Sequence, residues 1–275
     1  MMRPSLSPNR INYLKFLYFT TIILALSSFF IFAYIISLAD AQKTSNSTKL
    51  DTLFETANTL FNQKKYAEAI PYYDKILTRN ASEIDALNHK GISLWALHKY
   101  KGALLYFDQI LEINSSNVKA LNNKGLALLG LQKNDEAIRY FDQILKLNPS
   151  DVYALINKGG ALLVLEKNDE AIPYFDRVLS INASDVYAIN NKAEALTEMG
   201  KNEEALSVIK KEAMDNPKDE NLQSTMAFIL SNMGKDDEAR VYYEKALKIN
   251  PNLTEILYEN ELDEFNRLMG NKTKQ

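Results

Sequence analysis

Residues 50–253 divide without a gap into six consecutive 34-residue copies, and this period constrains the fold more than any other feature of the chain. Thirty-four residues is the length of a helix-turn-helix unit that cannot bury its apolar face alone and must stack on neighbours like itself. The copies begin at Leu50, Ile84, Val118, Val152, Val186 and Glu220. Their eighth residue is always small: Ala57, Gly91, Gly125, Gly159, Ala193, Ala227. Their twentieth is always alanine: Ala69, Ala103, Ala137, Ala171, Ala205, Ala239. Their twenty-fourth is large and apolar: Tyr73, Phe107, Phe141, Phe175, Ile209, Tyr243. Such an array works through a stripe of surface side chains and needs no buried chemical pocket.

One copy, residues 118–151, shows the local logic. Leu121, Gly125 and Leu128 recur at helical spacing, as do Ala137, Phe141, Ile144 and Leu145. Asn134-Asp135-Glu136 offers an N-cap and early acids for a second helix, and Pro149 falls where that helix should stop. The spacing predicts two antiparallel helices whose backbones come close where Gly125 and Ala137 lack bulk. These residues resemble the tetratricopeptide repeat family over about three quarters of the chain. The family's small, alanine, aromatic and proline positions correspond to Gly125, Ala137, Phe141 and Pro149, with Ala81, Ser115 and Ala183 replacing the proline in other copies. The resemblance implies an all-α, right-handed superhelical solenoid whose first helices line a concave groove. It implies a platform for binding other proteins, not one defined function.

The margins of the array read differently. Residues 254–268 carry Ile256, Leu257, Leu262, Phe265 and Leu268 among acids, as expected of an amphipathic capping helix, followed by a tail at 269–275. The fifth copy places Glu212 where the others have Ile, Val or Ala, and Asp215 where most have Ile or Leu. An acid at an interior seam is costly, so a weaker joint is expected near residues 205–217. Pro71 and Pro173 fall early in their helices, where a missing N–H matters least.

Before the array, residues 1–15 form a short basic segment and residues 16–39 run for 24 positions without a charge. That length exceeds the roughly 20 residues that span a bilayer as a helix. Arg3, Arg10 and Lys15 precede the apolar stretch, which favours a single-pass protein with its N-terminus in the cytoplasm and the array outside. The alternative is a secreted protein, cleaved after Ala39-Asp40-Ala41 so that Gln42 becomes the first residue. Residues 40–49 are small and polar, a linker.

Beyond residue 39 the chain carries 29 basic and 35 acidic residues, a balance poorly suited to a phosphate backbone, so no nucleic-acid partner is expected. With no cysteine, disulfides and thiol chemistry are excluded, and His89 and His98 are the only histidines. No Ser/His/Asp set, metal cluster or glycine-rich phosphate loop is present, so no cofactor and no enzymatic activity are expected; Glu203-Glu204 and Asp236-Asp237 suit helix starts. Asn46, Asn80, Asn114, Asn182, Asn252 and Asn271 begin N-x-S/T sequons and are candidate glycosylation sites. Asn80, Asn114 and Asn182 share one place in three copies, where a turn favours Asn in any case.

On each first helix the fourth, eighth and eleventh residues make a packing stripe, and the second, fifth, ninth and twelfth a neighbouring one. By the family resemblance, that second stripe and the sixth residue face the groove. It offers Phe61, Ile92, Trp95, Leu126, Leu129 and Leu163 in copies one to four. Copies five and six offer Glu194, Thr197, Glu198 and Ser231, with Phe228 the apolar exception. Trp95 is read either as an anchor for a partner or as packing against the adjacent repeat. Asn123, Asn157 and Asn191, the sixth residues of copies three to five, could pair with the backbone of an extended peptide. They are similar to the asparagine ladder in the tetratricopeptide region of O-linked N-acetylglucosamine transferases; the competing reading is that they tie neighbouring helices together. Lys90, Lys124, Lys158 and Lys192 read as snorkelling side chains with solvated ammonium groups. Only Lys119 is basic where chaperone-tail-binding relatives clamp a carboxylate, with Phe54 and Asn122 in the other places, so that ligand is disfavoured.

The function these readings imply is a membrane-tethered, non-enzymatic scaffold that holds extended segments of other proteins in its groove. The alternatives are a secreted or homo-oligomeric structural envelope protein, and an accessory subunit of a membrane enzyme or of a secretion or assembly complex.

Overall fold

A computed structural model describes residues 35–37, 49–255, 257 and 259–269. The chain divides into two compact units, Met1–Ala81 and Ser82–Gln275. Residues 35–37 are helical, but the rest of the expected membrane span, the linker before residue 49, the tail beyond Met269 and the sequons at Asn46 and Asn271 lie outside the described residues. Among the described residues no helix is long and apolar enough to cross a membrane.

In the first unit α1 (residues 49–62) and α2 (Tyr66–Arg79) form the first repeat. Ala57, Ala69, Tyr73 and Ile76 are wholly buried. The Tyr73 hydroxyl donates to Asn58 Oδ1 at 3.0 Å, and burial pushes its pKa up to about 12.

The second unit is a row of helix pairs closed by a final helix. The pairs are α3 (Ile84–Ala96) with α4 (Tyr100–Ile113), α5 (Val118–Gly130) with α6 (Asn134–Leu147), and α7 (Val152–Val164) with α8 (Asn168–Ile181). Then come α9 (Val186–Glu198) with α10 (Asn202–Asp215), α11 (Glu220–Asn232) with α12 (Asp236–Ile249), and α13 (Glu259–Met269). Each second helix packs on its own first helix and on the first helix of the next pair. Successive first helices also touch one another along the row, whereas second helices make no contact of that extent. The first helices therefore form the inner side of the solenoid.

The three recurrent positions acquire a shared physical cause. In copies two to four the ring at the twenty-fourth place lies against the glycine at the eighth. A Cβ on Gly91, Gly125 or Gly159 would sit 2.5 Å from Cε1 of Phe107, Phe141 or Phe175. Where the eighth residue is alanine, the twenty-fourth is Tyr73, Ile209 or Tyr243 instead. The expectation that Gly125 serves backbone approach is corrected: the absent side chain makes room for a ring of its own repeat. The alanines at the twentieth place are all wholly buried, completing each local core.

The turns are equally regular. The fifteenth residue of every copy adopts positive φ: Lys64, His98, Gln132 and Glu166 near +57°, Gly200 and Gly234 at +73°. Only the last two copies use the residue for which that conformation is free of strain. Second helices begin one residue earlier than Asn134 suggests, with Lys65, Lys99, Lys133, Lys167, Lys201 and Lys235 at the N-cap and no side-chain cap bond. First helices from copy three onward are capped by Asn117, Asp151, Asp185 and Asp219, each accepting from the backbone N–H three residues on.

Copy five does not open at its seam. Its buried second-helix residues are Ala205, Ile209 and Ala213, where copy four buries Ala171, Phe175 and Val178. Burial has moved one residue along the helix, placing Ala213 inside and leaving Glu212 half-buried with Asn216 Nδ2 donating to it at 2.6 Å. Asp215 is exposed, as are Ile113, Leu147, Ile181 and Ile249 at the same place, so it sits at no interior seam.

The final segment is not one helix over 254–268. A 3-10 turn at Leu253–Glu255 precedes α13, which packs on α11 and α12. Phe265 meets Tyr243 edge-on at 5.2 Å, and Arg267 donates two bonds to Asp236 at 2.8 and 2.9 Å.

Gly125→Ala should lower stability by about 1–3 kcal/mol through overpacking against Phe141. Adding Phe141→Ile should restore most of it, since Ala193 with Ile209 already coexist in copy five; urea midpoints of the two variants check this. The Tyr243 hydroxyl is buried without a partner among the described residues. Tyr243→Phe should therefore stabilise by about 1 kcal/mol, read as a higher thermal midpoint.

Candidate functional site

The inner row brings together part of the expected groove. A hollow of about 280 Å³ is lined by Asn88, Ile92, Asn122, Asn123 and Tyr153, with Val118, Lys119 and Asp151 at its side. A second, of about 290 Å³, is lined by Leu129, Ile156, Asn157, Gly160, Ala161, Val164 and Asn191, with Gln132 and Asn134. Ile92 and Asn123 thus share one hollow, and Leu129, Asn157 and Asn191 the other. Trp95, Leu126 and Leu163 line neither. Trp95 is 38% exposed and is available on the surface. Phe61 belongs to the first unit, half-buried against Tyr66 at 5.4 Å.

The asparagines do tie neighbouring helices. Asn123 Nδ2 donates to Asn88 Oδ1 and Asn157 Nδ2 to Asn122 Oδ1, each at 2.9 Å. Each bond uses one amide hydrogen, leaving a second hydrogen and an acceptor oxygen on the sixth-place residue. Asn88 escaped the sequence reading and Asn122 entered it only as a place without a clamping base, although both occupy the fifth place of consecutive copies. Tyr153 and Tyr187, at the second place, are 77% and 69% exposed and were likewise missed as prominent aromatic surface.

The lysines are paired, contrary to the expectation of solvated heads. Lys124 donates to Asp108, Lys158 to Asp142 at 2.5 Å and Lys192 to Asp176 at 2.6 Å. The ammonium groups of Lys90, Lys124 and Lys158 also lie over the rings of Tyr106, Tyr140 and Tyr174. Burial pushes the Lys124 and Lys158 pKa values down, but the hydrogen bonds to the Asp and Tyr partners outweigh it and the net shift is upward. Lys124 and Lys158 each join a tyrosine of their own copy to an aspartate of the copy before, and Lys192 reaches back to Asp176, which stitches these repeats together beside the groove.

At the far end the expected polar groove is covered. Glu194, Thr197, Phe228 and Ser231 are buried, although Glu198 is exposed. Leu257 and Glu261 close a small hollow of about 40 Å³ with Asn190, Glu194, Asn221, Ser224 and Thr225. Ser231 Oγ donates to Glu264 at 2.7 Å and accepts from Arg267 at 2.8 Å. The chain's own C-terminal segment thus occupies this stripe. Burial first, then the facing carboxylates of Glu261 and Glu198, push Glu194 up to about 8.

The sequons in the described array lie in the turns. Asn80, Asn114 and Asn182 are exposed, and Asn252 follows Asn250 in the same kind of turn. Asn114, Asn148, Asn182 and Asn250 accept from the backbone N–H two residues on, at 3.0–3.2 Å, so this asparagine has a turn-forming role whether or not a sequon follows. Among the described residues no three His, Cys, Asp or Glu side chains gather to hold a metal.

Comparisons with known proteins agree with this architecture. A tetratricopeptide repeat family model matches residues 54–118 and 122–186, and a second, of the N-terminal TPR repeats region of Psidin, matches residues 161–260. Tetratricopeptide repeats are thus found across residues 54–118 and 122–260. A solved tetratricopeptide repeat protein from Parabacteroides merdae is 18% identical with a TM-score of 0.64, covering 82% of this chain and 95% of that one. MamA from Desulfovibrio magneticus (19%, TM-score 0.54) covers 62% of this chain and 96% of that one. The TPR protein YrrB (21%, TM-score 0.51) covers 70% and 96% respectively. At these identities the likeness is one of fold. No curated protein matches the chain significantly.

Glu194 gives a pH prediction. Its carboxyl stays protonated in the fold up to about pH 8 but ionises near 4.5 when unfolded. The unfolded state then binds fewer protons, so this group's contribution falls as pH rises from about 4.5 to 8 and is level outside that window. Glu194→Gln should flatten the pH dependence of the urea midpoint across that window.

Proposed function

We propose that this protein is a membrane-tethered scaffold that holds extended segments of partner proteins on the inner face of repeats two to four. The observation that carries this reading is the pairing, in each of two hollows on that face, of an apolar floor with side-chain amides. Amides at the sixth place can accept from and donate to a peptide backbone without reading its sequence, while Ile92 and Leu129 supply apolar contact. Trp95, partly exposed on the same first-helix stripe, is a further anchor. Tetratricopeptide repeats commonly mediate protein–protein interaction, and YrrB is described as having an unusual peptide-binding site. The curve of the array is taken to be the family's right-handed superhelix.

The tether is residues 16–39, whose 24 uncharged positions suit a single membrane crossing with the N-terminus in the cytoplasm and the repeats outside. Cleavage before Gln42 would release the repeats on the same side. In either case Asn80, Asn114, Asn182 and Asn252 would be presented to any glycosylating machinery there. A second reading, self-assembly of an envelope structure, is favoured by the exposed row Ile113, Leu147 and Ile181, one period apart.

A photocrosslinking residue at Asn157 in the full chain is expected to trap a foreign polypeptide, identified by mass spectrometry of the adduct. Adducts of this chain with itself alone would reject the scaffold in favour of self-assembly. The same spectra report whether the mature chain begins at Met1 or Gln42.

A further inference from the structure

The fourth repeat departs from its neighbours at two groove positions at once, and both departures open the same spot. Its ninth residue is Gly160, where copies two, three and six carry Ile92, Leu126 and Phe228. A Cβ built on Gly160 meets nothing within 4 Å, unlike those on Gly91, Gly125 and Gly159. This glycine makes no room for the protein's own packing; it leaves a vacant place on the inner face. The fifth residue is Ile156, where copies two, three and five have Asn88, Asn122 and Asn190. The amide ladder that joins Asn123 to Asn88 and Asn157 to Asn122 therefore stops, and the Asn191 amide has no hydrogen-bond partner among the described residues.

From this we infer that the hollow around Gly160 is a receptacle for one large apolar side chain of an extended partner polypeptide, whose adjoining peptide group is held by the Asn191 amide. The inference rests on the scaffold reading and gives it a specificity. Leu129, Ile156 and Val164 supply apolar wall, and no lining residue is ionisable, so the complementary residue is an uncharged Leu or Phe and not a basic or acidic one. The volume of about 290 Å³ exceeds one such side chain, which leaves space for the backbone flanking it. The amides of Asn157 and Asn191 stand one repeat apart on either side, so an extended chain crossing the hollow meets both. Elsewhere on the row the ninth place is filled by the protein's own Ile92, Leu126, Glu194 or Phe228, and Gly160 alone lacks a side chain there.

The test uses the full chain in detergent and fluorescently labelled, end-blocked nonapeptides with Gly/Ser flanks and a central Leu, Phe or Ser, read by anisotropy. The Leu and Phe peptides should bind at least tenfold more tightly than the Ser peptide. Gly160→Leu, which enters open space and so should fold, is expected to abolish that preference. If it loses helix content, Val164→Asp at the exposed wall replaces it, with the same expected outcome. Asn191→Ala should weaken the Leu and Phe peptides about tenfold while leaving their preference over Ser in place. A preference for Leu and Phe that survives both Gly160→Leu and Val164→Asp overturns the receptacle. So does concentration-dependent self-association lost in Gly160→Leu, which would assign the hollow to a second copy. If no peptide binds, the receptacle also fails; a foreign polypeptide still trapped at Asn157 would then leave the scaffold reading standing without it.

Discussion

The contact between the eighth and twenty-fourth residues of each repeat sets the distance between its two helices, and the rest of the array follows from that distance. A phenyl ring pressed on a glycine fills the interior with little void, and the buried alanine at the twentieth place completes the match. Close packing of this kind tolerates exchange only in pairs, because a methyl group added on one side has to be taken from the other. The pairing of Ala193 with Ile209 is that exchange carried out within a single chain. Once each pair has the same thickness, the next first helix finds an equivalent surface, and the inner row repeats with one period.

Between repeats, the joints are polar at their margins. The Lys–Tyr–Asp stitches and the Asn–Asn bonds both cross from one copy to the next, and both flank the inner face. The Asn–Asn bonds tie neighbouring first helices to each other, and the lysines tie a first helix to the second helix of the copy before. Under the proposed function, a face cross-linked this way would lower the ordering cost of binding. It presents side-chain amides and short apolar patches side by side, as the proposed capture of an extended chain would require.

Much of this was legible in the residues. The period, the paired helices and the buried positions follow from recurrences at three places, because packing in a stacked array makes the same demand of each copy. The turns were less legible: four of six left-handed positions carry Lys, His, Gln or Glu, residues that give no local signal for positive φ. Glu212 was placed at an interior seam it does not occupy, because Ala213 is small enough to take the buried place, a property of the neighbour and not of the acid. The lysine stitches were missed because their partners lie 16 residues away on another helix. In the groove, Ile92, Asn123, Leu129, Asn157 and Asn191 fell on the hollows because the helical period puts them there. The far end was misjudged for a simple reason. Thr197, Ser224 and Ser231 look like solvent-facing polar residues, and nothing local shows that Leu257, Glu261 and Glu264 return to cover them.

That return gives the array a direction. A segment lying along the inner face from the second repeat meets, at the fifth, a surface already taken by the protein's own terminus and latched by Arg267. Under the proposed function, that cover would limit the length of chain the inner face can hold. The same helix, α13, lies over α11 and α12, so among the described residues the last helix pair has a cover where the earlier pairs have a further repeat.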